Sequence, residues 1–170
     1  MSFLLTLLLG YAALALQATW IPHLGIAGIT PDLPLIATVL LALQRGPSTG
    51  TITGFLIGLG QDVANPGGLG LNALTKSITG YALGNLRERF DADTAPTCAA
   101  TLFVSTLAHD LLYLAISTRL VLSDMLITWS TRTLPTAVYT AAAGTVLYLA
   151  IAAVTGRRGH RLGRSRLASR

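Results

Sequence analysis

The chain has 170 residues, 52% of them hydrophobic and 11% charged, with a formal net charge of +5 and a mean hydropathy of +0.61. Soluble domains carry roughly 25% charged residues, so these figures exclude an ordinary water-soluble fold and indicate a single integral membrane domain. The lone Cys98 excludes a disulfide framework, and three histidines with one cysteine are too few for a zinc site.

The first apolar stretch runs from Phe3 to Ile21 and closes at Pro22, with Trp20 and His23 at the interface. It lacks the positive n-region of a secretory leader and precedes further spans, so it reads as a retained helix. The second span opens on Thr30-Pro31-Asp32: an N-cap hydroxyl, proline at the first helical position and an acid in the positive first turn. It continues through Leu33–Leu43 and stops near Gln44-Arg45. At ~21 Å it is short, which implies local thinning or burial among neighbours. The third span runs from Pro47 to about Gln61, the fourth from Leu69 to Leu86, the fifth from Thr97 to Ser117 and the sixth from Leu134 to Val154. The apolar connection Leu120–Trp129, broken by Ser123-Asp124, reads as an interfacial helix, and its insertion would change the count to five or seven.

The expected fold is therefore all-α, a polytopic bundle of about six transmembrane helices over residues 1–156 with a basic tail over 157–170. Six of the twelve basic residues lie in that tail, at Arg157, Arg158, Arg161, Arg164, Arg166 and Arg170. With both termini cytoplasmic, the inside also receives Arg45, Arg87 and Arg89, and the outside only Arg119 and Arg132. The tail reads as a topology determinant in contact with anionic lipids rather than as a nucleic-acid surface.

Gly46, Gly50, Gly54 and Gly58 recur at a spacing of four along the third span, and Gly80 and Gly84 repeat it on the fourth. In a soluble helix each would cost ~1 kcal/mol relative to alanine. In lipid, small residues permit the close backbone approach that drives helix association. A step of four advances ~400°, so the ladder drifts only ~120° over three steps and forms one oblique groove. That groove packs either against another span of this chain or against a partner's transmembrane helix.

A polar insert follows the ladder. Asp62 and Asn65 share one face of a helix end, Pro66-Gly67-Gly68 breaks the helix, and Asn72 and Lys76 lie four apart on the next. A lysine within a span is usually paired, and Asp62 is the nearest candidate across the hairpin. His109-Asp110, in the middle of the fifth span, is the other ionisable spot, with Asp110 expected on Lys76 or a threonine and His109 on a hydroxyl. Asp62, Asn65, Asn72, Lys76 and Asp110 are thus expected as a buried polar cluster, one that either staples the turn or meets a ligand. Ser105 and His109, four apart, mimic a nucleophile and base, but no glycine-flanked serine or oxyanion-hole motif accompanies them. An enzyme is not expected.

The order Pro31-Asp32-Leu33, Arg45-Gly46-Pro47, glycine-rich helix, Asp62, Leu69-Gly70-Leu71-Asn72-Ala73-Leu74 and Gly80-Tyr81 resembles the centre of the MreD family, rod shape-determining membrane proteins of bacteria. The flanks match only in hydrophobic character, and the strongly basic tail is a departure. The resemblance implies a non-enzymatic scaffold of the cell-elongation machinery in the inner membrane, without cofactor or metal. Its implied partners are an MreC-like membrane-anchored protein, the MreB filament, and RodA with its penicillin-binding protein. The family is also similar in fold to the substrate-binding components of energy-coupling-factor vitamin transporters. That likeness supplies the alternative, a small-molecule binder with a pocket around Asp62, Asn65, Asn72 and Lys76, against which the 6% aromatic content counts.

Overall fold

The computed structural model describes residues 3–20, 23, 25, 28–65, 68–86, 94–117 and 126–154. Among these, six α-helices carry the fold: α1 (Phe3–Thr19), α2 (Leu33–Arg45), α3 (Pro47–Ala64), α4 (Leu71–Leu86), α5 (Ala95–Ser117) and α6 (Leu134–Val154). A π-helical turn, Trp129–Thr133, leads into α6, so the helix is continuous from Leu126 to Val154. That stretch and Ala95–Ser117 are long and apolar enough to cross a membrane, while Leu8–Thr19 and Leu33–Arg45 are shorter apolar helices.

Helix α2 sits at the centre, in contact with α1, α3, α4, α5 and α6. Leu35, Ile36, Val39 and Ala42 on it are fully buried and meet Leu83, Cys98, Leu102 and Ala141 from three neighbouring helices. Neighbours enclose it, so a short helix suffices here. Elsewhere the pattern is that of a bundle in lipid. Thr38, Thr53, Thr75, Thr106 and Thr140 are buried while Val104, Val138 and Val146 are exposed, because small and polar groups are what hold helices together in lipid.

Gly46 alone joins α2 to α3. Its φ of 92° and ψ of −176° lie in a region that side-chain-bearing residues avoid, and its N–H caps α2 on the Ala42 carbonyl at 2.8 Å. The α2 start is corrected by two residues. Asp32, not Thr30, is the N-cap: its Oδ1 accepts from the Leu35 N–H at 2.9 Å, and the proline in the first turn is Pro34. Of the expected interfacial helix Leu120–Trp129, only the part from Leu126 is described. From Leu126 onward the chain already belongs to the last long helix, and 118–125 lie outside the described residues. So do Pro66, Gly67, Arg87, Arg89 and the whole tail, including Arg157, Arg158, Arg161, Arg164 and Arg166.

The glycine ladder is buried against α4. A methyl placed on Gly50 would meet the Gly80 carbonyl, on Gly54 the Lys76 carbonyl, on Gly58 the Asn72 carbonyl, and on Gly84 the backbone of Pro47. These pairs set one register: Gly46-Pro47 opposite Gly84, Gly50 opposite Gly80, Gly54 opposite Lys76, Gly58 opposite Asn72. Of the two occupants expected for the groove of Gly46, Gly50, Gly54, Gly58, Gly80 and Gly84, a span of this chain or a partner helix, the structure shows the first. Their groove is filled by this chain's own α4, whose backbone comes too close to leave room for a second helix.

Candidate functional site

The ends of α1, α3 and α5 and the starts of α2, α4 and α6 meet at one end of the bundle, and the ionisable side chains converge there. Lys76, six residues into α4, is fully buried. Its Nζ donates to Asp32 Oδ2 at 3.0 Å and lies 3.2 Å from His109 Nε2. Thr75 Oγ1 lies 3.1 Å from the same nitrogen, and His109 Nδ1 is 3.0 Å from Asp110 Oδ1.

These contacts assign the proton on the imidazole. An ammonium only donates, so Nε2 accepts and Nδ1 carries the hydrogen that Asp110 receives. Tyr113 stacks on the ring, with centroids 6.5 Å apart. Around Asp32 the backbone is tied to two further helices. The Asp32 N–H donates to Thr140 Oγ1 at 3.1 Å, and the Leu33 N–H donates to Gln17 Oε1 at 2.9 Å. Helices α1, α2, α4, α5 and α6 thus meet through side chains at one level.

Asp62 has a different task from the one expected of it. It is fully buried at the end of α3, and its two oxygens accept from four donors at the start of α4. These are the N–H groups of Gly70 (3.0 Å), Asn72 (3.1 Å) and Ala73 (3.0 Å), and Asn72 Nδ2 (2.9 Å). The first turn of a helix leaves its N–H groups without intrahelical partners and carries partial positive charge, which a buried carboxylate satisfies. Asp62→Ala is expected to destabilise the fold by about 3 kcal/mol, because it strands several buried donors that now make charge-assisted bonds. Asp62→Asn, which keeps one acceptor oxygen, should lose roughly half as much. Thermal unfolding in detergent checks both.

The sequence-level pairings change accordingly. Lys76 meets Asp32 and His109, not Asp62 or Asp110. Asn72 joins Asp62, whereas Asn65 is exposed at the α3 C-cap. Asp110 is half-buried and bonds its own neighbour His109. His109 meets a hydroxyl as expected, that of Thr75, while Asp32, Thr75, Thr140 and Gln17 are the members that sequence reasoning missed. The usable signal was the lysine itself: a buried ammonium requires a carboxylate, and among the described residues Asp32, Asp62 and Asp110 are the aspartates on that side. Ser105 is no nucleophile poised by His109, for its hydroxyl donates to the Thr101 carbonyl at 2.5 Å.

The chain Asp32–Lys76–His109–Asp110 has the groups that a proton relay needs, but it does not run through the bundle. Deeper in, the hydroxyls of Thr38, Thr53, Thr79, Ser105 and Thr106 each donate to a carbonyl one turn back on their own helix. Chemically the cluster is an interlock. Among the described residues, Gln61 Oε1 and Trp129 Nε1 are buried without a hydrogen-bond partner.

No curated protein and no solved structure matches the chain. The family model described as rod shape-determining protein MreD matches residues 1–155, which covers all six helices and every residue of the cluster, and the chain belongs to that family.

Proposed function

We propose that this chain is a non-enzymatic scaffold of the cell-elongation machinery, which docks the transmembrane helix of an MreC-like partner and supports peptidoglycan synthesis. Membership of a rod shape-determining family supports this reading. The observation that carries the scaffold reading is how the polar interior is used. Lys76, Asp32, His109 and Asp62 are all engaged in tying helices to one another, which makes a rigid platform. The chain resides in the inner membrane with both termini cytoplasmic, and its arginine tail rests on anionic lipids. The MreB filament, RodA and the penicillin-binding protein are its wider assembly.

With the glycine groove filled, the partner helix goes to an outward face. On α3 and α4, away from α2, Phe55, Leu59, Ile78 and Tyr81 are exposed, and we assign the contact there. Cysteines at Phe55 and Ile78, in a Cys98→Ala background, should crosslink to an MreC-like partner in native membranes, whereas one at Val146 on α6 should not. Crosslinking from Val146 alone would move the interface to α6.

A fold like that of the energy-coupling-factor substrate-binding components is compatible with this proposal, but the vitamin-type pocket is not favoured. Asp62 is taken by four donors and Lys76 by Asp32 and His109. That leaves the Asp62, Asn65, Asn72 and Lys76 group no charge to offer a ligand.

A further inference from the structure

Two clefts open at the Asp32 end of the bundle. One, of about 240 Å³, is walled by Asn72, Asp110, Tyr113, Thr128 and Arg132 among others. The other, of about 260 Å³, lies towards α1 and the end of α3, and the two share Asp32, Arg132 and Thr136. Arg132 stands between them on the π-helical turn Trp129–Thr133. Such turns insert an extra residue into a helix and are frequent at functional sites.

The charges of the first cleft do not cancel one another. Asp32 is neutralised by Lys76 at 3.0 Å. Asp110 gives one oxygen to His109, which is neutral in the tautomer assigned above, and its other oxygen has no partner among the described residues. Arg132 likewise has no hydrogen bond or ion pair among them. A carboxylate and a guanidinium therefore line one cleft, neither of them balanced by an opposite charge among the described residues and not paired with each other. At the edge of a bilayer such charges are expensive unless something neutralises them.

We infer that this cleft binds the phosphoethanolamine headgroup of a membrane lipid, with the phosphate on Arg132 and the ammonium on Asp110. A guanidinium presents a planar fork that takes two phosphate oxygens at once. The ammonium supplies N–H donors to the free oxygen of Asp110, and the hydroxyl-bearing walls at Tyr113, Thr128 and Thr136 accept or donate around it. The lipid source is argued from the rim. Leu126, Ile127 and Val138 are exposed on the helix that carries Arg132, which gives acyl chains an apolar track beside the mouth.

The test is native mass spectrometry of the delipidated full-length chain in mild detergent. Phosphatidylethanolamine, phosphatidylcholine and phosphatidylglycerol are supplied at equal concentration. Phosphatidylcholine keeps both charges but has no N–H donor, and phosphatidylglycerol keeps only the phosphate. Wild type should retain phosphatidylethanolamine about tenfold over either, the size of one charge-assisted contact. Arg132→Gln should lose retention of all three. Asp110→Asn should keep phosphate binding and lose the preference, and Asp110→Glu should restore it. Equal retention of the three lipids by wild type, or unchanged retention by Arg132→Gln, overturns the site. Displacement by the same concentration of soluble glycerophosphoethanolamine overturns the lipid source. Arg132 is exposed, so its replacement leaves the packing of the bundle in place.

Discussion

Gly54→Leu is expected to remove the folded protein from the membrane fraction. A side chain there would collide with the Lys76 carbonyl, with its carbonyl carbon at 2.7 Å and with the Ser77 amide at 3.0 Å. These are backbone atoms of a packed helix, so no rotamer relieves the overlap. The helices must separate, and separation also opens the Gly50–Gly80 and Gly58–Asn72 contacts. Ordinary overpacking costs about 1–3 kcal/mol. Prying apart a whole seam should exceed about 4–5 kcal/mol, the range of exceptional single substitutions. Gly54→Ala should act in the same direction with a smaller loss. Quantifying the chain and its co-purifying partner together is decisive: partner recovery should fall only in proportion to the chain itself. A chain that stays folded and abundant yet loses its partner would return the ladder to a docking role.

Lys76→Met has the second-largest expected effect. Among the described residues, it leaves the Asp32 carboxylate with the Leu35 backbone N–H as its remaining donor and leaves His109 Nε2 facing only the Thr75 hydroxyl. Breaking a buried ion pair from one side costs about 3–5 kcal/mol, since the other charge is stranded. For a chain of this size that corresponds to a midpoint lowered on the order of 10 °C. The combination Asp32→Asn with Lys76→Met should recover much of the loss, because most of it comes from the uncompensated charge rather than from the absent contact. Lys76→Arg should not rescue, since a planar fork does not fit where an ammonium points at Asp32 and His109 from one slot. Unfolding monitored in detergent, with all four variants in one cycle, measures the coupling. Additive losses for the two single changes would mean that the pair contributes nothing as a pair.

The glycine ladder shows how far the sequence could be read. Its spacing of four made an oblique groove certain, but the groove's occupant was not in the ladder. The complementary stripe was nonetheless present, as Asn72, Lys76, Gly80 and Gly84 at the same spacing of four. Only its Gly80–Gly84 half stands out in the sequence, because lysine and asparagine do not look like packing residues. In the fold they contribute backbone to the seam, and the Lys76 side chain leaves it toward α2 and α5. Asp62 illustrates the reverse case. Its position before Pro66-Gly67-Gly68 and the start of α4 suits an acid that caps the following helix, a local task that removes it from the list of partners for a distant lysine.

By itself the sequence determined the membrane class, the six helices and most of their bounds, because hydropathy, glycine and proline act over a turn or two of chain. It also required that Lys76 find a carboxylate. Only the tertiary structure decided which one. Asp32, Asp62 and Asp110 lie at the same end of the bundle on three different helices, and nothing in their spacing along the chain ranks them. The central placement of α2 does, by bringing its N-cap carboxylate within 3.0 Å of an ammonium 44 residues away. Where burial makes an unpaired charge intolerable, the packing of whole helices selects the pair.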